Sequence, residues 1–214
     1  MIRTFSIIIY KIYLILFHRL KVYGKEHIPK GGAIIASNHA SFFDPPVIGV
    51  SCPHTTHILA RDSLFAFPPF GWFLKKLGAH PIQRGKGNLQ TIKKTRSFIR
   101  MGEKLVIFPE GKRSSDGKLG SGLRGVGLLV YQAGATVIPT YIHGTFEAWN
   151  KHHKCPRLGK KIACVFGKPL DFSDYINENG DNKKMLQKKI VDQIMEAIAN
   201  LQKWYLSGAN GSPP

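Results

Sequence analysis

The sequence predicts an α/β fold in which a mainly parallel, mixed sheet is flanked by helices. Short apolar runs of strand length alternate with longer amphipathic segments of helical spacing. This alternation is typical of parallel sheets that are covered on both faces. A chain of 214 residues with 43% hydrophobic residues is also long and apolar enough to form one domain around a single core.

The first segment is a predicted membrane-associated helix. Residues 2–17 are largely apolar, but Lys11 interrupts them, and they fall short of the roughly 20 apolar residues that a simple span needs. The basic residues Arg19 and Lys21 follow, which favours a cytoplasmic position for the rest of the chain. We therefore expect residues 1–21 to lie against the bilayer rather than cross it, with a buried core helix as the alternative.

A strand and a turn come next. Residues 23–32 form a predicted loop, and the apolar run 33–37 is a predicted strand that ends in a polar cluster. Pro45 and Pro46 disfavour the α region in the residues before them and are tolerated at the first helical position. We expect a turn and then a short helix with Asp44 near its N-cap. Ligands bind at such strand ends in open α/β sheets.

His39 and Asp44 are candidate catalytic partners on this turn. A neutral imidazole can take a proton from an alcohol near pH 7, and a carboxylate on its other nitrogen fixes the tautomer. Residues five apart on a regular helix differ by about 140° and do not share a face, so the pair requires the turn. The alternative is a loop histidine beside a helix-capping aspartate.

The remaining elements alternate along the chain up to a tail at 207–214 that we expect to be disordered. Residues 63–77 should form two short helical pieces, split at Pro68 and Pro69, whose aromatic residues could line an acyl-chain tunnel, contact lipid or pack in the core. The other predicted strands are 57–59, 104–108, 136–142 and 162–166, and the other predicted helices are 88–101, 122–133 and 181–205.

The strand at 104–108 leads directly into a candidate phosphate loop. Gly111 allows close approach of the backbone, and Arg113 offers a planar fork that matches phosphate oxygens. The loop lacks the glycine and lysine order of a Walker motif, which argues against nucleotide hydrolysis. A plain turn is the alternative interpretation.

The formal charge of +18 predicts an anionic partner. Phosphate esters, an acidic membrane surface, an acidic carrier protein and nucleic acid all satisfy it. The basic face of 88–101 is either simply solvated or a docking surface for an acidic carrier or anionic lipid. Three cysteines without paired spacing indicate a reducing setting and argue against a disulfide framework or a cysteine-based zinc site. We expect no metal.

The polar segments resemble four sequence blocks of the glycerolipid acyltransferases, and most specifically of the 1-acylglycerol-3-phosphate O-acyltransferase (lysophosphatidic acid acyltransferase) family. The first block is an Asn-His-x-Ser-x-x-Asp turn. The blocks occur here, in the family's order, at residues 38–44, 78–84, 108–114 and 137–142.

The resemblance implies a glycerol-phosphate acyltransferase-like domain over residues 22–206 and acyl transfer to the sn-2 hydroxyl of lysophosphatidic acid, giving phosphatidic acid. Acyl-CoA or acyl-carrier protein would donate the acyl group, without a further cofactor, at the cytoplasmic face of an anionic membrane. His39 and Asp44 would be catalytic. The implied substrate-binding residues are Arg84, Glu110, Gly111, Lys112 and Arg113, with Glu110 shaping the phosphate loop.

The sequence departs from the family's pattern at His80-Pro81-Ile82, where an aromatic residue is frequent, and at Lys112, where threonine is common. Two alternatives to the implied function stay open. One is acyl transfer to glycerol 3-phosphate or another lysophospholipid. The other is a non-catalytic basic protein that binds membrane or nucleic acid, which would tolerate loss of His39. We expect no nucleic-acid partner.

Overall fold

A computed structural model describes residues 2–82, 89–177 and 183–214. Its centre is a seven-stranded sheet in the order β1-β7-β6-β2-β5-β3-β4. Only β6 and β7 pair antiparallel among these neighbours. The predicted mainly parallel, mixed sheet is therefore confirmed. The strands are β1 Lys21–Tyr23, β2 Ala33–Ser37, β3 Thr56–Arg61, β4 Ala79–Ile82, β5 Lys104–Ile107, β6 Val137–His143 and β7 Ala163–Phe166.

Helices cover both faces of the sheet. Two short 3₁₀ turns, Lys25–His27 and Asp62–Phe65, complete the secondary structure of the described residues. The helices are α1 Ile2–His18, α2 Asp44–Ser51, α3 Pro68–Lys76, α4 Leu89–Arg100, α5 Arg124–Ala133, α6 Thr145–Trp149, α7 Ser173–Asn177 and α8 Lys183–Leu206.

Strand β2 lies near the middle of the sheet, so its residues are buried on both faces. Successive side chains on a strand point to opposite faces. Ile35 accordingly packs in one core with residues of α1 and α2, whereas Ile34 packs in a second core with residues of α5 and α8. This burial explains why the strand reads as a continuous apolar run.

Most predicted elements are present with boundaries shifted by a few residues. Segment 63–77 is split as predicted, because α3 begins at Pro68 after a 3₁₀ turn. The sequence did not predict β1, β4, α6 and α7. These elements have only three to five residues each, which is too short to display a periodicity.

Helix α1 is amphipathic. Leu14 is fully buried in the core shared with α2, and Tyr10 and Tyr13 pack beside it. Within the described residues, no helix has the length and apolar character needed to cross a membrane. The opposite face of α1 exposes large apolar side chains at Phe5, Ile8, Ile9, Ile12, Ile15, Leu16 and Phe17.

The tail, 207–214, contrasts with the disorder that its composition predicts. The backbone N–H of Lys168 donates to the carbonyl of Pro214 at 3.0 Å. The indole N–H of Trp204 donates to the carbonyl of Asn210 at 2.9 Å. Tertiary hydrogen bonds of this kind give the tail partners that its own sequence does not reveal.

Candidate active site

The site lies at the edge of the sheet where the parallel strands β2 and β5 end. There, His39 Nδ1 is 2.8 Å from Asp44 Oδ2. Asp44 is fully buried and the His39 side chain is 17% exposed, so the imidazole is the accessible member of the pair. The predicted contact on the turn is confirmed. Asp44 lies near the N-cap of α2 as predicted, because Phe43 is the N-cap and Asp44 is the first helical residue.

Asp44 holds its position through hydrogen bonds from both sides. Oδ2 accepts the backbone N–H groups of Ala40 and Ser41, each at 2.7 Å, in addition to the contact with His39. Oδ1 accepts the hydroxyl of the buried Thr145 at 2.6 Å. The carboxylate therefore caps its own turn and accepts a hydrogen bond from the Nδ1–H group of His39. The lone pair of the imidazole is then on Nε2.

The His39 ring and backbone are fixed by the loop after β5. The ring stacks on Phe108 with 4.0 Å between centroids. The His39 N–H donates to Glu110 Oε1 at 3.0 Å, and its carbonyl accepts the Ser114 N–H at 2.7 Å. Nε2 has no hydrogen-bond partner among residues 2–82, 89–177 and 183–214. The imidazole is thus held firmly while its basic nitrogen stays available.

Both carboxylate oxygens of Glu110 accept backbone N–H groups, which ties the loop after β5 to the His39 turn. Besides Oε1, which bonds to His39, Oε2 accepts the N–H of Gly120 at 3.0 Å. Burial raises the pKa of this carboxyl. At Gly111 the φ angle is +66°, and an added Cβ would overlap with Leu123 Cδ1. The positive φ favours glycine here, whereas the exposed Leu123 side chain could move aside.

Arg113 offers an unused donor next to the catalytic pair. Its guanidinium lies over the ring of Phe42, 3.7 Å from the centroid, within the same turn as His39 and Asp44. Nη1 is buried and has no hydrogen-bond partner in the described part of the chain. Burial lowers the pKa of Arg113, and the nearby Asp44 carboxylate opposes this effect. A buried, unpaired N–H of a cation is well suited to an anionic ligand.

The other predicted site residues differ in their placement. Lys112 is exposed at the rim of the loop. Arg84 lies outside the described residues. His80, from the same block, contacts His57, and the other ring nitrogen of His57 contacts Glu103 where β5 begins, so His80 does not join His39 and Asp44. The structure thus brings together the first and third blocks, and the fourth block joins them through β6.

Three further residues support the site and were not predicted from the sequence: Thr145, Phe42 and Trp149. Thr145 follows the end of β6 by two residues, just as His39 follows β2, so its position after a central strand was an available signal. The Trp149 ring lies 4.9 Å from the Phe42 ring, and its carbonyl accepts the Ser41 hydroxyl. No periodicity marks these aromatic contacts, because they join segments that are distant in sequence.

The next feature is the distribution of His, Cys, Asp and Glu side chains, the residues that ligate metals. Within the described residues, no group of three or more His, Cys, Asp or Glu side chains is arranged to hold a metal ion. Cys52, Cys155 and Cys164 are all free thiols.

The chain is similar in sequence to known proteins. The family model described as Acyltransferase matches residues 19–143, more than half of the chain. The 1-acyl-sn-glycerol-3-phosphate acyltransferase of Bacillus subtilis (strain 168) is 27% identical over 192 residues, which cover 89% of this chain and 93% of that protein. The chloroplastic LPAT1 of Arabidopsis thaliana, with the same activity in its name, is 29% identical over 133 residues. That match covers 60% of this chain but only 37% of the plant protein.

A solved structure shows the same fold. The crystal structure of PlsC, the 1-acyl-sn-glycerophosphate (LPA) acyltransferase from Thermotoga maritima, matches with a TM-score of 0.65. The match has 23% sequence identity and covers 87% of this chain and 74% of PlsC. The arrangement of strands and helices is therefore one that a known acyltransferase uses.

Proposed function

This chain belongs to the acyltransferase family, and on that premise we propose that it transfers a fatty acyl group from a thioester to the sn-2 hydroxyl of 1-acylglycerol 3-phosphate. The product is phosphatidic acid, a precursor in phospholipid biosynthesis. The observation that carries the proposal is the unpaired Nη1 of Arg113 beside the His39–Asp44 pair. A base and an anion-binding cation in one turn suit an acceptor that has both a hydroxyl and a phosphate.

His39 acts as the general base. Nε2 takes the proton from the sn-2 hydroxyl as that oxygen attacks the thioester carbonyl carbon. Asp44 keeps the proton on Nδ1 and stabilises the imidazolium that forms. When the tetrahedral intermediate collapses, the C–S bond breaks, and the leaving thiolate takes the proton back from Nε2. The net reaction exchanges a thioester for an oxygen ester and leaves the enzyme unchanged.

The transfer is direct, without an acyl-enzyme. Ser41 is the hydroxyl nearest to the pair in sequence, but it donates to the carbonyl of Trp149 and accepts the N–H of Phe43 at 3.0 Å. A hydroxyl engaged in both roles supports the turn and lacks the activating base that a nucleophile needs.

The acceptor phosphate binds to Arg113, with Gly111 allowing close backbone approach and Lys112 adding charge at the rim. With its phosphate on Arg113, the acceptor directs its sn-2 hydroxyl toward His39 and its acyl chain toward apolar surface. The thioester is supplied by acyl-CoA or acyl-carrier protein.

The protein works at a membrane, on its cytoplasmic face. The exposed apolar side chains of α1, and those of the aromatic segment around α3, are the surfaces that would contact lipid. Lysophosphatidic acid resides in bilayers, so an enzyme that binds the bilayer meets its substrate there.

The decisive experiment measures phosphatidic acid formation from lysophosphatidic acid, with acyl-CoA and acyl-carrier protein offered in parallel. Purified wild type, His39→Ala and His152→Ala are compared in detergent. His152 is exposed and serves as a matched histidine control. We expect His39→Ala to lose about 10²–10⁴-fold in turnover while His152→Ala matches wild type. If His39→Ala turns over substrate as fast as wild type, His39 is not the base. If wild type is active only with glycerol 3-phosphate, the acceptor is glycerol 3-phosphate.

A further inference from the structure

The loop between α6 and β7, residues 150–161, is strongly basic, and we call it the basic loop. No acidic residue occurs between Glu147 and Asp171. Its cationic side chains are all exposed, and none forms an ion pair within the described residues. These cations are Lys151, Lys154, Arg157, Lys160 and Lys161. The basic loop thus contributes a concentrated part of the charge of +18 to one surface.

The basic loop is attached to the C-terminal end of α1. The N–H of Gly159 donates to the carbonyl of Phe17 at 3.0 Å. His18 Nδ1 bonds to the carbonyl of Lys160 at 3.0 Å. At this junction Leu16, Phe17 and Leu158 are 69%, 46% and 57% exposed. Cationic and large apolar side chains therefore share one continuous surface.

The same surface borders the active site. Trp149 directly precedes the basic loop, and its ring contacts Phe42, over which the Arg113 guanidinium lies. The Trp149 carbonyl also accepts the hydroxyl of Ser41 in the catalytic turn. A short chain of contacts thus connects the basic loop to the group that binds the acceptor phosphate.

We infer that the basic loop and the adjoining end of α1 form a docking surface for a bilayer rich in anionic lipid. Cations alone would suit any polyanion. Exposed apolar side chains beside them require a partner with a hydrocarbon layer beneath a layer of phosphates, which describes a bilayer and not an acidic carrier protein. Docking here brings Arg113 to the level of the lipid headgroups. This inference deepens the proposed function, and rests on it for the role of Arg113.

The test is sedimentation of the full chain with vesicles of phosphatidylcholine alone or mixed with phosphatidylglycerol. The loop variant is Lys154→Glu/Arg157→Glu/Lys160→Glu. The matched control, Lys183→Glu/Lys184→Glu/Lys203→Glu, makes the same change in net charge with exposed lysines of α8, on the other face of the sheet. We expect wild type and the control to prefer the anionic vesicles, and the loop variant to bind them at least about tenfold more weakly.

Two results would overturn the inference. One is a loop variant that binds anionic vesicles as wild type does. The other is a control that loses as much binding as the loop variant, because then net charge alone would be responsible. If the first result came with a selective loss of activity with acyl-carrier protein, the surface would belong to the carrier. Thermal unfolding of each variant verifies that it is folded.

Activity in detergent separates this inference from the proposed function. In detergent micelles no bilayer is present, so we expect the loop variant to acylate lysophosphatidic acid at the wild-type rate. If all variants lack acyl transfer while the vesicle pattern holds, only the proposed function fails. If all variants are active in detergent and bind vesicles equally, only the docking surface fails.

Discussion

At the scale of single residues, Asp44 has its orientation fixed from outside its own turn. Backbone N–H groups hold Oδ2, but Oδ1 depends on the hydroxyl of Thr145, which the chain supplies about a hundred residues later. A carboxylate that could rotate would present a weaker acceptor to His39 Nδ1. Thr145 is therefore a positioning residue that acts on the base through Asp44.

We expect Thr145→Val to lower kcat by about tenfold with little change in KM, because the hydrogen bond to Oδ1 is lost while the shape is kept. Thr145→Ser restores the hydroxyl and should recover most of kcat. Steady-state kinetics on both variants measures this split. If Ser and Val variants are equally impaired, Thr145 contributes packing alone.

Arg113 has a different role, and its replacement should have a different kinetic signature. Removing one charge-assisted contact to phosphate costs about 1.5–3 kcal/mol, so Arg113→Ala should raise KM for lysophosphatidic acid by about 10–100-fold. The exposed Lys118, in the same loop, is the control, and Lys118→Ala should leave KM unchanged. An unchanged KM in Arg113→Ala would remove Arg113 from acceptor binding.

At the scale of elements, α5 and α8 approach each other closely at Gly127. An added Cβ at Gly127 would overlap with the backbone carbonyl of Gln187 on α8. Neither backbone can yield without moving a helix, so this contact sets the spacing of the two helices over the sheet. Buried Val130, Ile190 and Ile194 pack at the same interface.

Gly127→Ala should therefore destabilise the fold by about 1–3 kcal/mol, as overpacking does in other cores. Gly125 lies on the same helix with open space around it. Gly125→Ala should stabilise the protein by about 0.5–1 kcal/mol, because alanine loses less backbone entropy in a helix. Urea unfolding of the two variants gives both values, and equal effects would refute the close approach.

At the scale of the whole molecule, a histidine network on the opposite edge of the sheet couples stability to pH. His57 contacts His80 on one side at 2.9 Å and Glu103 on the other at 2.6 Å. Burial, the neighbouring His57 and Lys94 lower the pKa of His80 to about 4 from its ordinary 6.5, and Glu103 opposes them. The unfolded chain thus binds this proton more tightly than the folded one does.

The stability that neutral His80 contributes is complete above pH 6.5 and is lost as the pH falls toward about 4. After allowance for partial exposure, the loss is on the order of 2 kcal/mol. We expect His80→Gln to flatten this part of the curve of unfolding free energy against pH. His152→Ala, at an exposed position, should leave it unchanged. Parallel curves for wild type and His80→Gln would show that His80 does not carry the effect.

Local patterns sufficed to predict the alternation of strands and helices, the split at Pro68, and the contact of His39 with Asp44. Each of these depends on residues close together in sequence, where proline geometry, strand length and helical spacing act directly. The position of Asp44 next to the N-cap Phe43 is local in the same way, since the Asp44 carboxylate turns back to accept the Ala40 and Ser41 amides.

The sequence by itself determined the fold class and the turn on which His39 meets Asp44, because periodicity and turn chemistry are encoded within a few residues. The tertiary structure alone decided that the Thr145 hydroxyl bonds to Asp44 and that both oxygens of Glu110 accept backbone N–H groups. It also decided that the basic loop adjoins α1 and lies near Arg113. Those relations join segments distant in the chain, and only the packing of the sheet and its helices brings them into contact.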